Sequence, residues 1–144
     1  MRLGLSRRTD LATRALLALD ELGERTKAAD LAELIGTSAG FCTQVLAPLV
    51  GRGWVRSEPG PTGGYTVACS IDSLSVLDVI EAIEGPTVSG RCVLENRNCE
   101  ATGPCALHTP WIAARTLLLG ELGSTTLGSL RHPDVQRDRR ALGS

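Results

Sequence analysis

Three cysteines and a histidine stand close together at Cys92, Cys99, Cys105 and His108, in the pattern C-x6-C-x5-C-x2-H. Thiolate and imidazole are soft or borderline ligands. The set therefore suits zinc or an iron–sulfur cluster and suits hard, oxygen-seeking cations poorly. Zinc motifs usually bring ligands in close pairs such as C-x2-C. Gaps of six and five wrap a larger object more easily, which favours a cluster and leaves zinc as the alternative. Residues 85–108 are polar and show no apolar periodicity, so no core pattern accounts for these thiols. Only a bound ion or cluster is expected to order such a loop. Cys42 and Cys69 differ, because each lies on an apolar helix or strand pattern and reads as a small buried hydrophobe. An enzymatic reading, with His108 and Glu100 in acid–base roles, has no paired catalytic constellation or phosphate loop behind it, so the chain reads as not an enzyme.

The elements that must position this loop are mostly helical. Residues 9–22 carry Leu11, Ala15, Ala18 and Leu22 at helical spacing, widened by Leu16 and Leu19, with Thr9 as the expected N-cap and Gly23 as the stop. A short helix is expected over 27–35, capped by Thr26, with Leu31, Leu34 and Ile35 facing inward. The turn Gly36-Thr37-Ser38 leads into a third helix that buries Cys42, Val45, Leu46 and Leu49. Pro48 predicts a kink or an early end there, since it lacks an N–H and clashes with the preceding turn. Helix, tight turn and helix form a helix-turn-helix, whose second helix enters the major groove. Ser38, Thr43 and Gln44 stand on the outward face and are the right size to read base edges. Arg7, Arg8 and Arg56 are the cations placed to meet phosphates.

Two strands, 54–57 and 65–68, flank the turn-rich block Glu58-Pro59-Gly60-Pro61-Thr62-Gly63-Gly64, which makes a β-hairpin wing whose tip at Gly63 and Gly64 is expected to touch the DNA backbone. A fourth helix follows at about 74–84, capped by Ser73 or Ser75 and ended by Gly85. After the cysteine loop, Thr109-Pro110 reads as an N-cap and first helical position. Trp111, Ala114, Leu118 and Leu122 then define a stripe widened by Leu117 and Leu119, more apolar surface than a monomer needs, which predicts a homodimer.

Composition agrees with this outline. The chain has 144 residues, 42% of them hydrophobic and 3% aromatic, enough for one aliphatic, helix-favouring core and an appendage. Net charge is −1, so any nucleic-acid surface must be local. The apolar run Ala15–Leu19 is cut by Asp20 and Glu21, too short for a signal-peptide core, and no stretch approaches a membrane span. The expected location is the cytoplasm, with no membrane partner. There, five cysteines point to metal or redox chemistry more than to disulfides.

These segments together carry a resemblance. Met1-Arg2-Leu3, Thr9-Asp10-Leu11-Ala12 with Arg14-Ala15-Leu16, the wing block Gly60–Tyr65, Val79–Gly85, the three-cysteine loop and Thr126-Leu127-Gly128 are similar to the winged-helix iron–sulfur transcription regulators, a family that includes IscR and NsrR. The likeness spans about residues 1–130. It implies a homodimer on a palindromic double-stranded operator, a long helix crossed at the dimer interface and one cluster per subunit. The block Cys105-x-x-His108-x-x-Trp111 looks like the IscR branch, where three cysteines and that histidine hold a 2Fe–2S cluster. Thr9-Asp10 looks like the NsrR branch, where an aspartate at that place reaches the partner's 4Fe–4S cluster. His108 is the favoured fourth ligand and Asp10 the alternative. The expected fold is mainly α, a winged helix-turn-helix over 1–85, then a cluster-binding loop over 86–108, a dimerisation helix with a short terminal helix over 109–131, and a disordered tail over 132–144.

Overall fold

The computed structural model describes residues 3–87, 93–94, 103 and 105–131. Among them, helices α1 (Arg7–Leu22), α2 (Ala28–Ile35) and α3 (Ala39–Gly51) are followed by strands β1 (Val55–Glu58) and β2 (Gly64–Val67), helix α4 (Val76–Glu84) and helix α5 (His108–Ser124). Single 3-10 turns lie at Ile71–Ser73 and Leu127–Leu130. The fold is mainly α with one small antiparallel hairpin. The expected tail, 132–144, lies outside the described residues.

The core gathers around α1. Leu11, Ala12, Ala15, Leu16 and Leu19 are buried against Leu31 and Ile35 of α2, Cys42, Val45, Leu46 and Leu49 of α3, and Val79 and Ile80 of α4. All of these are aliphatic or small, as the scarcity of aromatics requires. Leu22 and Leu34 are not part of this core. They are 41% and 61% exposed, because α1 and α2 curve only one narrow face each toward their neighbours.

Three helix starts differ from expectation. α1 begins at Arg7 and is capped by Ser6, whose Oγ accepts the Thr9 N–H at 3.2 Å. Thr9 is instead fully buried, and its hydroxyl donates to Glu84 Oε2 at 2.9 Å, tying the start of α1 to the end of α4. Thr26 does not cap α2. The N-cap is Lys27, with no side-chain cap, and the Thr26 backbone exchanges hydrogen bonds of 2.9 and 2.8 Å with Tyr65 of the wing. α5 starts at His108 rather than after Thr109, because the His108 N–H already bonds the Cys105 carbonyl at 3.0 Å and opens a helical turn. Pro110 is tolerated inside that first turn, where its missing N–H has no intrahelical partner to lose.

α3 neither ends nor breaks at Pro48. It runs on to Gly51, and the Arg52 N–H bonds the Pro48 carbonyl at 3.0 Å. The lost hydrogen bond falls in the last turn, and buried Val45, Leu46 and Leu49 hold both sides of the proline in the core. The wing strands pair from Val55 opposite Val67 to Glu58 opposite Gly64, within a residue of the expected spans. Helix α4 carries a full capping box between Ser75 and Asp78.

The C-terminal segment docks back onto the head. The Val76 N–H bonds the Thr125 carbonyl at 2.8 Å, the Leu127 N–H bonds the Leu74 carbonyl at 2.9 Å, and Leu127 is fully buried. Arg131 then bridges Asp20 at 2.9 Å and Asp72 at 3.2 Å. A Cβ at Gly128 would lie 1.7 Å from Asp72 Oδ1, so a larger residue there would push the Asp72 carboxylate aside. One end of α5 is thus fixed to the head, while the other begins at the cysteine loop. Along α5 the half-buried face is Trp111, Arg115, Leu119 and Leu122. Ala114, expected on the inner stripe, is exposed, and Ile112, Leu117 and Leu118 are 37%, 68% and 53% exposed.

Candidate functional site

The reading face is built by α2 and α3, which turn by 98° across Gly36–Ser38. Ser38 is the N-cap of α3, its Oγ accepting the Phe41 N–H at 3.2 Å. Thr43 stands one turn on, exposed, with its hydroxyl donating to the Ala39 carbonyl at 3.0 Å. Gln44 is exposed beside it and is the longest polar side chain of that face, with both amide and carbonyl available to a base edge. Ser38, Thr43 and Gln44 are thus all exposed, the first at the cap of α3 and the other two along it.

The cations expected to meet phosphates are all exposed. Arg7 and Arg8 are the first two residues of α1 and are exposed. Arg8 also lies over the Phe41 ring, 5.5 Å from its centroid, which links the start of α1 to the first turn of α3. Arg56 is exposed on β1 opposite Thr66. The wing glycines are placed differently from a tip. Gly63 is buried and Gly64 half-buried, forming the narrow neck of the hairpin. A Cβ on Gly63 would meet Glu58 O at 2.1 Å, and one on Gly64 would meet Thr26 O at 2.7 Å. The tip itself is Pro59–Thr62.

The ligand set is described only in part. Cys105 and His108 share the turn that opens α5, and both are half-buried. Cys92 and Cys99 lie outside the described residues. Asp10 is on the first turn of α1, half exposed, in an ion pair with Arg14 at 3.1 Å. Among the described residues of one chain, no three acidic, cysteine or histidine side chains converge as a metal site. The donor chemistry of the Cys105–His108 turn fits a soft-metal centre. Cys42 and Cys69 are apart from it: Cys42 is fully buried in α3, and burial pushes its thiol above the usual range. Burial, and secondly the Asp20 charge, push the Cys69 thiol up as well. Neither has the exposed thiolate character that a metal ligand needs. Two contacts gave no local signal in the sequence, the Thr9–Glu84 link and the Arg25–Glu58 pair beside the wing.

Two helices at a near right angle, followed at once by a hairpin, define a winged helix-turn-helix head. The chain belongs to the Rrf2 family: residues 5–133 match this family, described as iron-dependent transcriptional regulators. It is similar to the transcriptional regulator IscR of Escherichia coli, 32% identical over 102 residues, a match covering 71% of this chain and 62% of that relative, so the chain spans less than two thirds of IscR's length. Among solved structures, it superposes on CymR, the global cysteine regulator of B. subtilis, with a TM-score of 0.70 and 26% identity, covering 90% of this chain and 97% of that one. IscR of T. potens gives a TM-score of 0.69 at 22% identity, covering 89% and 85%, a likeness of fold. These relatives are regulators and not enzymes. No single described helix is long and apolar enough to cross a membrane.

Proposed function

We propose that this chain is an iron–sulfur-dependent transcription regulator that binds a double-stranded operator as a homodimer. The observation that carries the reading is the position of the ligand-bearing turn. Cys105 and His108 open α5, whose far end is anchored to the helix-turn-helix head through Thr125, Leu127 and Arg131. Ordering of the loop at one end of α5 is thereby linked to the head at the other. Cys92, Cys99 and Cys105 would hold the cluster, with His108 as fourth ligand. A bound cluster supplies a centre that oxidants and nitric oxide attack. His108 suits a 2Fe–2S cluster and has the nearer support, sharing a turn with Cys105. Asp10, contributed by the partner, suits a 4Fe–4S cluster and would first have to leave Arg14. The second reading is a zinc-stabilised repressor without redox chemistry, which the same donor types allow.

Protein prepared anaerobically should contain iron and acid-labile sulfide in similar amounts. Stoichiometric zinc without sulfide, in protein expressed with ample iron, would overturn the cluster in favour of the second reading.

On the head, Gln44→Ala should cost about 1–3 kcal/mol at one operator position and relax specificity there. Arg56→Ala should weaken binding to all sequences and flatten its salt dependence. A binding-site selection repeated with each variant checks both, and unchanged base preferences for Gln44→Ala would show that the reading face lies elsewhere.

A further inference from the structure

The wing hairpin carries one cation, Arg56 on β1, and from Ser57 to Val67 its one charged side chain is Glu58. Further positive charge comes from the α1–α2 connection. Arg25 reaches across and pairs its guanidinium with the Glu58 carboxylate, each side chain being 44% exposed. Lys27 follows two residues later. Between this connection and the wing lies an open groove of about 410 Å³, walled by Lys27, Ala28, Glu58, Pro59 and the glycine neck. The neck cannot splay. The paired Thr26 and Tyr65 backbones and the closeness of Gly64 to the Thr26 carbonyl fix the wing against residues 25–27.

We propose that this groove seats a backbone phosphate of duplex DNA, with Lys27 of its wall and Arg25, which pairs with the wall residue Glu58, as its cationic contacts and Glu58 as an internal competitor for Arg25. The inference rests on the DNA-binding reading above and deepens it. An exposed ion pair of this kind is weak enough for a phosphate to displace. Guanidinium and phosphate match in geometry and charge, so Arg25 gains by the exchange. Glu58 is then left beside the phosphate with like charge, and it holds down affinity for DNA of any sequence. Arg25 thus adds a cation beside the wing to the one that Arg56 supplies on β1.

The test uses the full chain and two probes: a duplex selected from a randomised pool by the wild-type protein, and a scrambled duplex of the same length. Binding is followed by fluorescence anisotropy at several salt concentrations, and thermal melting checks the fold of each variant. Arg25→Ala and Lys27→Ala should weaken binding to both duplexes alike, each lowering the slope of log affinity against log salt by about 0.9. Glu58→Gln should tighten both by roughly two- to fivefold. The Arg25→Ala, Glu58→Gln double variant should lose that gain. If the ion pair merely braces the wing, Glu58→Gln weakens binding as Arg25→Ala does, and the proposal falls. It falls also if Arg25→Ala and Lys27→Ala leave the slope unchanged while Arg56→Ala lowers it; the DNA-binding reading then stands without this groove. A wild-type chain that selects no duplex would remove both.

Discussion

Replacing Cys92, Cys99 or Cys105 singly with alanine should abolish the cluster or leave it too labile to survive purification, whereas Cys42→Ala and Cys69→Ala should retain it. The contrast follows from where the thiols sit. A metal ligand must give up its proton and reach the ion. Cys42 is fully buried among the α3 core residues, and burial raises its thiol pKa. Cys69 is raised by burial and by Asp20. Both therefore stay protonated near neutral pH and act as small apolar side chains. Cys105 sits on the opening turn of α5, where its carbonyl accepts the His108 N–H, and is not buried in the core. Visible spectra and iron content of the five variants decide the matter. Loss of iron in Cys42→Ala or Cys69→Ala, with the fold intact, would mean that the ligand set is misassigned.

Leu118→Glu should convert a dimer into a monomer and reduce operator binding with it. Leu118 is 53% exposed and Leu117 68%, on a helix none of whose residues is buried within the subunit. That much leucine on one long helix has no partner among the described residues, and in the proposed homodimer a second copy of α5 would cover it. A carboxylate placed there would be buried without a counter-charge, which typically costs several kcal/mol. Because a palindromic operator needs two heads, dimer and operator affinity should fall together. Sedimentation of wild type and variant at micromolar concentration is the check. A monomeric wild type, or a variant that stays dimeric with full operator affinity, would contradict the arrangement.

Local periodicity made the head legible. Cys42, Val45, Leu46 and Leu49 recur at helical spacing, and all four are buried in α3; the Pro-Gly-rich block between two β-prone runs is the wing. Caps were harder. Ser6 and Thr9 are both capping residues three positions apart, and only packing against Glu84 decides that Thr9 goes inside. Thr26 has the right type and place for a cap, but a backbone bridge to Tyr65 takes it first. The inner face of α5 could not be chosen from spacing, because Ile112 and Leu117–Leu119 make the helix apolar on several sides, and 111/114/118/122 and 111/115/119/122 are equally helical stripes. Arg25–Glu58 and Arg131–Asp20 join residues 33 and 111 positions apart, so no local pattern encodes them. At the ligand site the residue types were readable from their chemistry. Of their convergence, only the Cys105–His108 turn lies among the described residues.

The central claim is that cluster status sets operator affinity through α5. Its most direct measurement compares one selected duplex, at one salt concentration and without oxygen, against the same protein before and after the cluster is removed by chelation. A coupling of about 1–3 kcal/mol is expected, a 5- to 150-fold change in affinity between the two forms. Equal affinities for the loaded and stripped protein, both still dimeric and folded, would contradict it.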